Sequence, residues 1–229
     1  GMIFISLRNC KKNWEQTGWA WIRLWKAKRC ARRESKFPFS CLATHCQRNL
    51  LKQKSIILID GSNFYFKLKD LGLHHLLTFD FSKFSNFLAR SSDTVGTYYY
   101  VGRIKQDGSS KTEKLFNSQQ KLLGQLKKHK VIYKLGYLLK SDGVYHEKGV
   151  DVQLAVDMLV SAYENTAERI IVVSSDTDLE PAIRKAKEKG KIVEYVGFSH
   201  KASVAMVSFC SESTLLKKED LEQFIKNSP

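Results

Sequence analysis

Three stretches of this sequence place carboxylates directly after apolar segments, where acid–base or metal chemistry is possible. The apolar run 170–173 is followed closely by Asp176 and Asp178, and an earlier apolar run ends at Asp60. Asp151 stands in the first turn of a predicted helix. Continuous runs of β-branched residues are typical of strands buried on both faces of a parallel sheet. Ligands bind at the carboxyl ends of such strands, so we predict that these four carboxylates share one pocket.

Four ionised carboxylates in one pocket require a cation or protonation, because two unit charges about 4 Å apart repel by roughly 4 kcal/mol at an effective dielectric of 20. An all-oxygen site open to water suits Mg²⁺ or Mn²⁺. Such a site can activate water and stabilise a phosphoryl transition state. We therefore predict as metal ligands Asp60, Asp151, Asp176 and Asp178. The predicted catalytic residues are the same four and Asn63.

Helix capping is the structural alternative for these acidic residues, since Asp is a favoured N-cap. Ser62 and Asn63 are also suited to cap the helix after Asp60, which would leave that carboxylate for a ligand. One of Asp176 and Asp178 is expected to cap the helix that follows them. Asp157 lies about 120° round its helix from the first-turn carboxylate, so we predict a structural contact for it.

Four polar residues near the carboxylates are predicted to contact a substrate: Asn63, Lys148, Ser174 and Thr177. Asn63 could hold a phosphate oxygen. Ser174 and Thr177 could instead orient the carboxylates by donating hydrogen bonds. Lys148 could contact phosphate or remain a solvated lysine.

The carboxylates need a scaffold of alternating strands and helices, and the apolar pattern from residue 55 onward predicts one. The predicted strands are 55–60, 94–102, 131–135, 170–174 and 192–196. The predicted helices are 62–70, 80–90, 111–129, 150–164, 178–189 and 218–226. A short hairpin is expected over 137–146, and 200–216 could hold a short helix and an edge strand at 207–210. This alternation predicts an α/β fold, a Rossmannoid three-layer α/β/α sandwich with a central, mostly parallel sheet of about five strands.

Several other chemistries find no support in the sequence. Gly61 is alone after the first strand, so neither a dinucleotide-binding fingerprint nor a Walker A loop is present. The six histidines form no triad or ligand pattern, and Cys210 is predicted to be a buried filler. Asp176-Thr177-Asp178 could suggest a phosphatase, but that class would carry the motif after the first strand.

The charge of the 229-residue chain is unevenly distributed. Residues 1–54 hold 13 Lys and Arg against 2 Asp and Glu, whereas residues 55–229 hold 25 against 21. The leader also contains all four Trp and four of the five Cys. This shift in composition predicts a basic N-terminal extension over 1–54 and one domain over 55–229. The extension could be poorly ordered.

The leader allows several interpretations. Its basic and aromatic residues could bind nucleic acid or a membrane surface, or the segment could be a loosely structured extension. A zinc cluster of Cys30, Cys41, His45 and Cys46 would match no standard spacing. No apolar run approaches the roughly 18 residues of a membrane span. The apolar stretch at the start of the sequence is too short for the core of a signal peptide. We therefore expect a cytoplasmic protein without a membrane span.

Together these motifs resemble the NYN domain (LabA-like) branch of the PIN-like nuclease superfamily. The resemblance lies in Ile59–Asn63, in Lys148–Asp157 and in Val173–Leu179, in this order along residues 55–210. Ser175 and Leu179 stand where glycine and phenylalanine are common in the family. The resemblance implies a PIN-like sandwich, a carboxylate site for Mg²⁺ or Mn²⁺, and a ribonuclease role.

The leading hypothesis is therefore metal-dependent hydrolysis of RNA, with single-stranded RNA as the expected partner. The alternative is a catalytically weak or inactive RNA-binding or regulatory module of the same fold. A homodimer is left open, as is the choice between endonucleolytic and exonucleolytic cleavage.

Overall fold

The computed structural model of the protein describes residues 53–73, 75–104, 108–141 and 144–225. Its strands are β1 (Lys54–Asp60), β2 (Asp93–Gly102), β3 (Ile132–Ser141), β4 (Val144–Lys148), β5 (Arg169–Val173), β6 (Ile192–Phe198) and β7 (Glu212–Leu216). Its helices are α1 (Gly61–Asp70), α2 (Phe81–Ala89), α3 (Ser110–Lys128), α4 (Val150–Tyr163), α5 (Glu180–Glu188), α6 (Val204–Phe209) and α7 (Lys218–Glu222). Short 3₁₀ turns cover Thr177–Leu179 and Ser199–Lys201. Residues 1–52 of the predicted leader and the tip of the predicted hairpin at 142–143 lie outside the described residues.

The strands form one sheet in the order β4-β3-β2-β1-β5-β6-β7. Every neighbouring pair is parallel except β3 and β4, which pair antiparallel. The chain moves outward from β1 to one edge and then returns through α4 to β5 on the other side. The boundary between β1 and β5 is therefore the topological switch point, where open α/β sheets bind their ligands.

Alternate residues of β1 enter two different hydrophobic cores, one on each face of the sheet. Ile57 and Ile59 belong to the core beneath α1 and α2, which is rich in phenylalanine. Ile56 and Leu58 belong to the core beneath α4 and α5. A strand covered on both faces explains why its sequence is continuously apolar. The predicted three-layer α/β/α fold with a mostly parallel sheet is confirmed, with two edge strands more than the five expected.

Buried ion pairs join the strands at the end of the sheet opposite their carboxyl ends. Glu194 on β6 is only 1% exposed. Arg169 Nε donates to one of its oxygens at 2.9 Å, and Arg90 Nη2 donates to the other at 3.0 Å. Thr214 Oγ1 donates to that second oxygen at 2.6 Å. The carboxylate therefore has several donors, which compensate for its removal from water.

The C-terminal part differs from the prediction of an edge strand at 207–210. Those residues lie in α6 and its C-cap, because Met206 and Cys210 face the core one helical turn apart. Ser203 Oγ caps this helix by accepting from Met206 N–H at 3.4 Å. The edge strand is β7 instead, and the last helix ends at Glu222 rather than at residue 226.

Cys210 is buried at 8% exposure, as predicted for a filler. Burial raises the pKa of its thiol to about 11. Within the described ranges, no helix has both the length and the apolar character needed to cross a membrane.

Candidate active site

Asp60 is the last residue of β1 and the N-cap of α1. Its Oδ1 accepts a hydrogen bond from Asn63 N–H at 3.0 Å, so Asp60 itself caps the helix. The expectation that Ser62 or Asn63 would cap in its place is wrong, because the strand leads into the helix without an intervening residue. Gly61 is required there, since a Cβ would lie 2.6 Å from the Tyr100 carbonyl oxygen and would overlap the Tyr99 ring.

Ser174 connects Asp60 to the acidic turn after β5. Ile59 pairs with Val173 in the sheet, so the residues that follow them lie side by side. Ser174 Oγ donates to Asp60 Oδ2 at 2.9 Å and accepts from Asp176 N–H at 3.1 Å. Ser174 is only 1% exposed, and its hydroxyl orients the carboxylates, which was the other role expected for it. A direct contact between Ser174 and a substrate stays a prediction.

Asp176 begins the 3₁₀ turn that precedes α5. Its Oδ1 accepts from Asp178 N–H at 2.9 Å, so Asp176 caps this turn. The helix α5 itself has Leu179 at its N-cap position without a side-chain cap, which differs from the expectation that one of the two acidic residues would cap it. Pro181 follows in the first turn of α5. A carboxylate at a helix N-terminus is favoured both by the free N–H groups and by the helix dipole.

Asp151 enters the site from a different direction, on the first turn of α4. Gly149 precedes it with φ at 81°, a left-handed conformation that glycine adopts without strain. This turn reverses the chain at the end of β4 and starts α4 toward the switch point. The first turn of α4 therefore carries Asp151 to the edge of the sheet where β1 and β5 end.

These three elements surround one cavity of about 400 Å³. The cavity is lined by Asp60, Ser62, Asn63, Phe66, Val150, Asp151 and Asp176. Asp60 is almost fully buried, Asp176 is half-buried and Asp151 is exposed. The structure thus brings together three of the four predicted carboxylates and the predicted asparagine.

The remaining predicted site residues lie outside the lining of this cavity. Asp178 is exposed, and its observed contribution is the backbone N–H that it donates to Asp176. Thr177 is exposed in the 3₁₀ turn that follows Asp176. Lys148 is exposed at the end of β4. Neither Thr177 nor Lys148 lines the cavity, so a substrate contact by either residue stays a prediction.

The donor set of the cavity fits a hard divalent cation in chemistry, because its polar side chains present only carboxylate, amide and hydroxyl groups. No group of three or more His, Cys, Asp or Glu side chains is gathered closely enough to hold a metal within the part of the chain that the structure describes. Direct coordination of one ion by Asp60, Asp151 and Asp176 together would therefore require these side chains to move closer to one another.

Asp157 anchors α4 to the sheet. Its carboxylate accepts from Tyr100 Oη at 2.7 Å and pairs with Lys134 Nζ at 2.7 Å. Gln153 Nε2 adds a hydrogen bond at 3.1 Å. Burial and then the hydrogen bond to Asp157 raise the pKa of Tyr100, so its hydroxyl remains a donor at neutral pH. These contacts agree with the predicted structural role of Asp157, and they fix the helix that carries Asp151.

Sequence reasoning missed Phe66 as a residue of the cavity. It lies three residues after Asn63 on α1 and lines the cavity beside it, with 61% of its surface exposed. The i, i+3 spacing from Asn63 was the available signal, since residues at this spacing share one face of a helix.

The fold recurs in a solved structure of a protein of unknown function. A crystal structure of a protein of unknown function from Vibrio parahaemolyticus matches with a TM-score of 0.53 at 19% identity, over 72% of this chain and 93% of that one. An uncharacterized protein of Methanocaldococcus jannaschii is 37% identical over 84 residues. That match covers 34% of this chain and only 35% of the relative's length.

The sequence pattern of the NYN domain matches residues 54–217, well over half of the chain. The matched region begins with β1, ends just after β7 and contains every residue that lines the cavity. The three sequence motifs of this region lie at the end of β1, at the start of α4 and at the end of β5. The LabA-like subfamily remains a prediction, but the chain belongs to the NYN domain family of the PIN-like nuclease superfamily.

Proposed function

We propose that this domain is a metal-dependent ribonuclease that hydrolyses RNA phosphodiester bonds at the acidic cavity. The observation that supports the proposal is the convergence of Asp60, Asp151 and Asp176, from three separate elements, on one cavity at the switch point of the sheet. Carboxylates that line one cleft repel each other, which costs stability, and such arrangements are typical of functional sites.

The proposed ligands of an Mg²⁺ or Mn²⁺ ion are Asp60 and Asp176, with Asp151 completing the set directly or through water. Asp178 is proposed to act from outside the cavity lining, either through a water molecule or through the hydrogen bond that its N–H donates to Asp176. A bound divalent ion would supply Lewis acidity and a lowered pKa for water.

The surrounding residues have roles that follow from their contacts. The Ser174 hydroxyl donates a hydrogen bond to the Asp60 carboxylate and accepts one from the Asp176 backbone N–H. Asn63 lines the cavity, and the role proposed for its side-chain amide is to donate a hydrogen bond to a phosphate oxygen. No described histidine lines the cavity, so water is the proton donor for the leaving oxygen.

The proposed substrate is single-stranded RNA. An open cavity at the rim of a sheet can receive the backbone of an unpaired strand. The bases of a duplex are stacked and paired, so they are not available for contacts with the protein. The acidic cavity repels a polyanion until cations compensate its charge, so we expect binding to depend on divalent ions and to weaken with monovalent salt.

The experiment compares Mn²⁺-dependent cleavage of single-stranded RNA by the wild type and by Asp176→Asn. The control is Glu188→Gln, which also removes one negative charge but at an exposed ion pair with Lys185 on α5. We expect Asp176→Asn to lose at least about 100-fold in rate, in line with removal of a charged group from a catalytic site, and the control to keep wild-type activity. Equal rates in wild type and Asp176→Asn would refute the proposal.

A second candidate function is an RNA-binding or regulatory module that does not cleave. It is favoured by one observation, namely that the three carboxylates are not gathered into a ligand group in the described part of the chain. This candidate predicts that the wild type retains RNA without turnover in Mn²⁺. Turnover lost in Asp176→Asn would exclude it.

A further inference from the structure

Phe66 places a large apolar ring at an otherwise acidic cavity. The side chain is 61% exposed and lines the same cavity as Asp60 and Asn63. Its ring packs edge-on against Tyr65, with the centroids 5.6 Å apart and the planes at 66°. Tyr65 in turn packs against the phenylalanine-rich core, so it holds the Phe66 ring in place. One edge of the ring is thus supported by the protein while most of its surface faces solvent.

The position of Phe66 along α1 suits a nucleotide next to the one in the cavity. Asn63, Phe66, Lys67 and Asp70 follow each other at positions i, i+3, i+4 and i+7, which lie on one side of a helix. The axial rise from Asn63 to Phe66 is about 4.5 Å at 1.5 Å per residue. The Cβ atoms of residues at this spacing lie about 5–6 Å apart. A base next to a phosphate held at Asn63 is therefore within reach of the Phe66 ring.

Positive charge lies one step further along the same side of the helix. Lys67 Nζ donates to the Lys201 carbonyl oxygen at 2.8 Å, which fixes the ammonium group. Burial and then the nearby Lys201 cation lower the pKa of Lys67. Lys201 pairs with Asp70 at 2.7 Å, so two cations share one anion. The excess positive charge at this point is suited to an RNA phosphate.

We propose that Phe66 is a stacking platform for an unpaired base, and that the RNA strand leaves the cavity along α1 toward Lys67. This inference rests on the proposed function, because it takes the cavity as the place where the RNA backbone is held. It adds a substrate class, namely RNA whose bases are unstacked near the scissile bond. Stacking of a base on an aromatic ring does not depend on base identity, so the platform selects for single strands rather than for a sequence.

The test measures binding of a fluorescein-labelled oligoadenylate and of an abasic ribose-phosphate strand of the same length. Ca²⁺ replaces Mn²⁺ so that the strand is not consumed, and the salt concentration is fixed. The variants are Phe66→Ala, Phe66→Leu, which keeps an apolar group without the ring, and Phe66→Trp. The exposed position makes loss of the fold an implausible cause of any change, and circular dichroism verifies it.

We expect Phe66→Ala and Phe66→Leu to bind oligoadenylate about 5- to 150-fold more weakly than the wild type. Phe66→Trp should restore binding, whereas all variants and the wild type should bind the abasic strand equally. Unchanged affinity of Phe66→Leu for oligoadenylate would overturn the inference, as would an equal loss for the abasic strand. Failure of the proposed function is distinguishable, because it would remove cleavage and its dependence on Asp176 while leaving these affinity differences in place.

Discussion

The buried hydroxyl of Ser174 offers the sharpest test of how the carboxylates are held. In Ser174→Ala, Asp60 Oδ2 loses a donor at 2.9 Å and Asp176 N–H loses its acceptor at 3.1 Å. A hydrogen bond to a charged group contributes about 1.5–3 kcal/mol to stability. Asp176 is half-buried, so water can satisfy much of its lost acceptor. We therefore expect the free energy of unfolding to fall by about 2–3 kcal/mol.

The measurement is equilibrium unfolding in urea, followed by circular dichroism in a chelating buffer so that metal binding does not contribute. Ser208→Ala is the matched control, because its hydroxyl donates to the Ala205 carbonyl at an exposed position of α6. We expect the control to lose no more than about 0.5 kcal/mol. If Ser174→Ala loses no more than Ser208→Ala, the hydroxyl does not hold the Asp60 carboxylate and the reasoning about the site is refuted.

Two further predictions concern the anchor of α4 and the buried thiol. Asp157→Ala should destabilise the protein by about 1–3 kcal/mol, because it leaves the buried Tyr100 hydroxyl without its acceptor, and it should lower the cleavage rate by displacing Asp151. The matched variant Tyr100→Phe removes the hydroxyl as well as its need for a partner, so urea unfolding should show a smaller loss. Cys210 should be alkylated about 100-fold more slowly at pH 8 than an ordinary thiol, because its pKa is raised from 9.0 to about 11. A raised pKa in the folded state contributes stability that is complete below pH 9 and disappears as pH rises toward 11. Peptide-level mass spectrometry checks the first effect, and rapid alkylation of Cys210 in the folded protein at pH 8 would contradict it.

Much of the fold was predictable because its strands are continuously apolar. Buried parallel strands such as 56–59 and 170–173 have no polar face, so their sequence marks them and the acidic residues that end them. The C-terminal part was not predictable in this way. The run 204–209 is a six-residue helix with Met206 as its one buried residue, and so short a segment has no clear period.

The candidate site was predictable in its residue types but not in its contacts. The sequence indicated Asp60, Asp151 and Asp176, because acidic residues after buried strands are placed at the ligand-binding edge. It could not show that Asp60 also caps α1, since three neighbouring residues have side chains able to do so. Nor could it show that Phe66 faces outward, because which side of α1 is buried depends on how the helix packs on the sheet.

The Ser174 hydroxyl also links the positions of two of the acidic residues to each other. Asp60 ends β1, Asp176 lies in the turn after the neighbouring β5, and one hydroxyl is hydrogen-bonded to both residues. Asp151 lies on a helix that is attached separately at Asp157. Substitutions between α4 and the sheet would shift the position of Asp151 and leave the linked Asp60 and Asp176 unchanged. The arrangement of the three acidic residues can therefore be changed without replacing any of them.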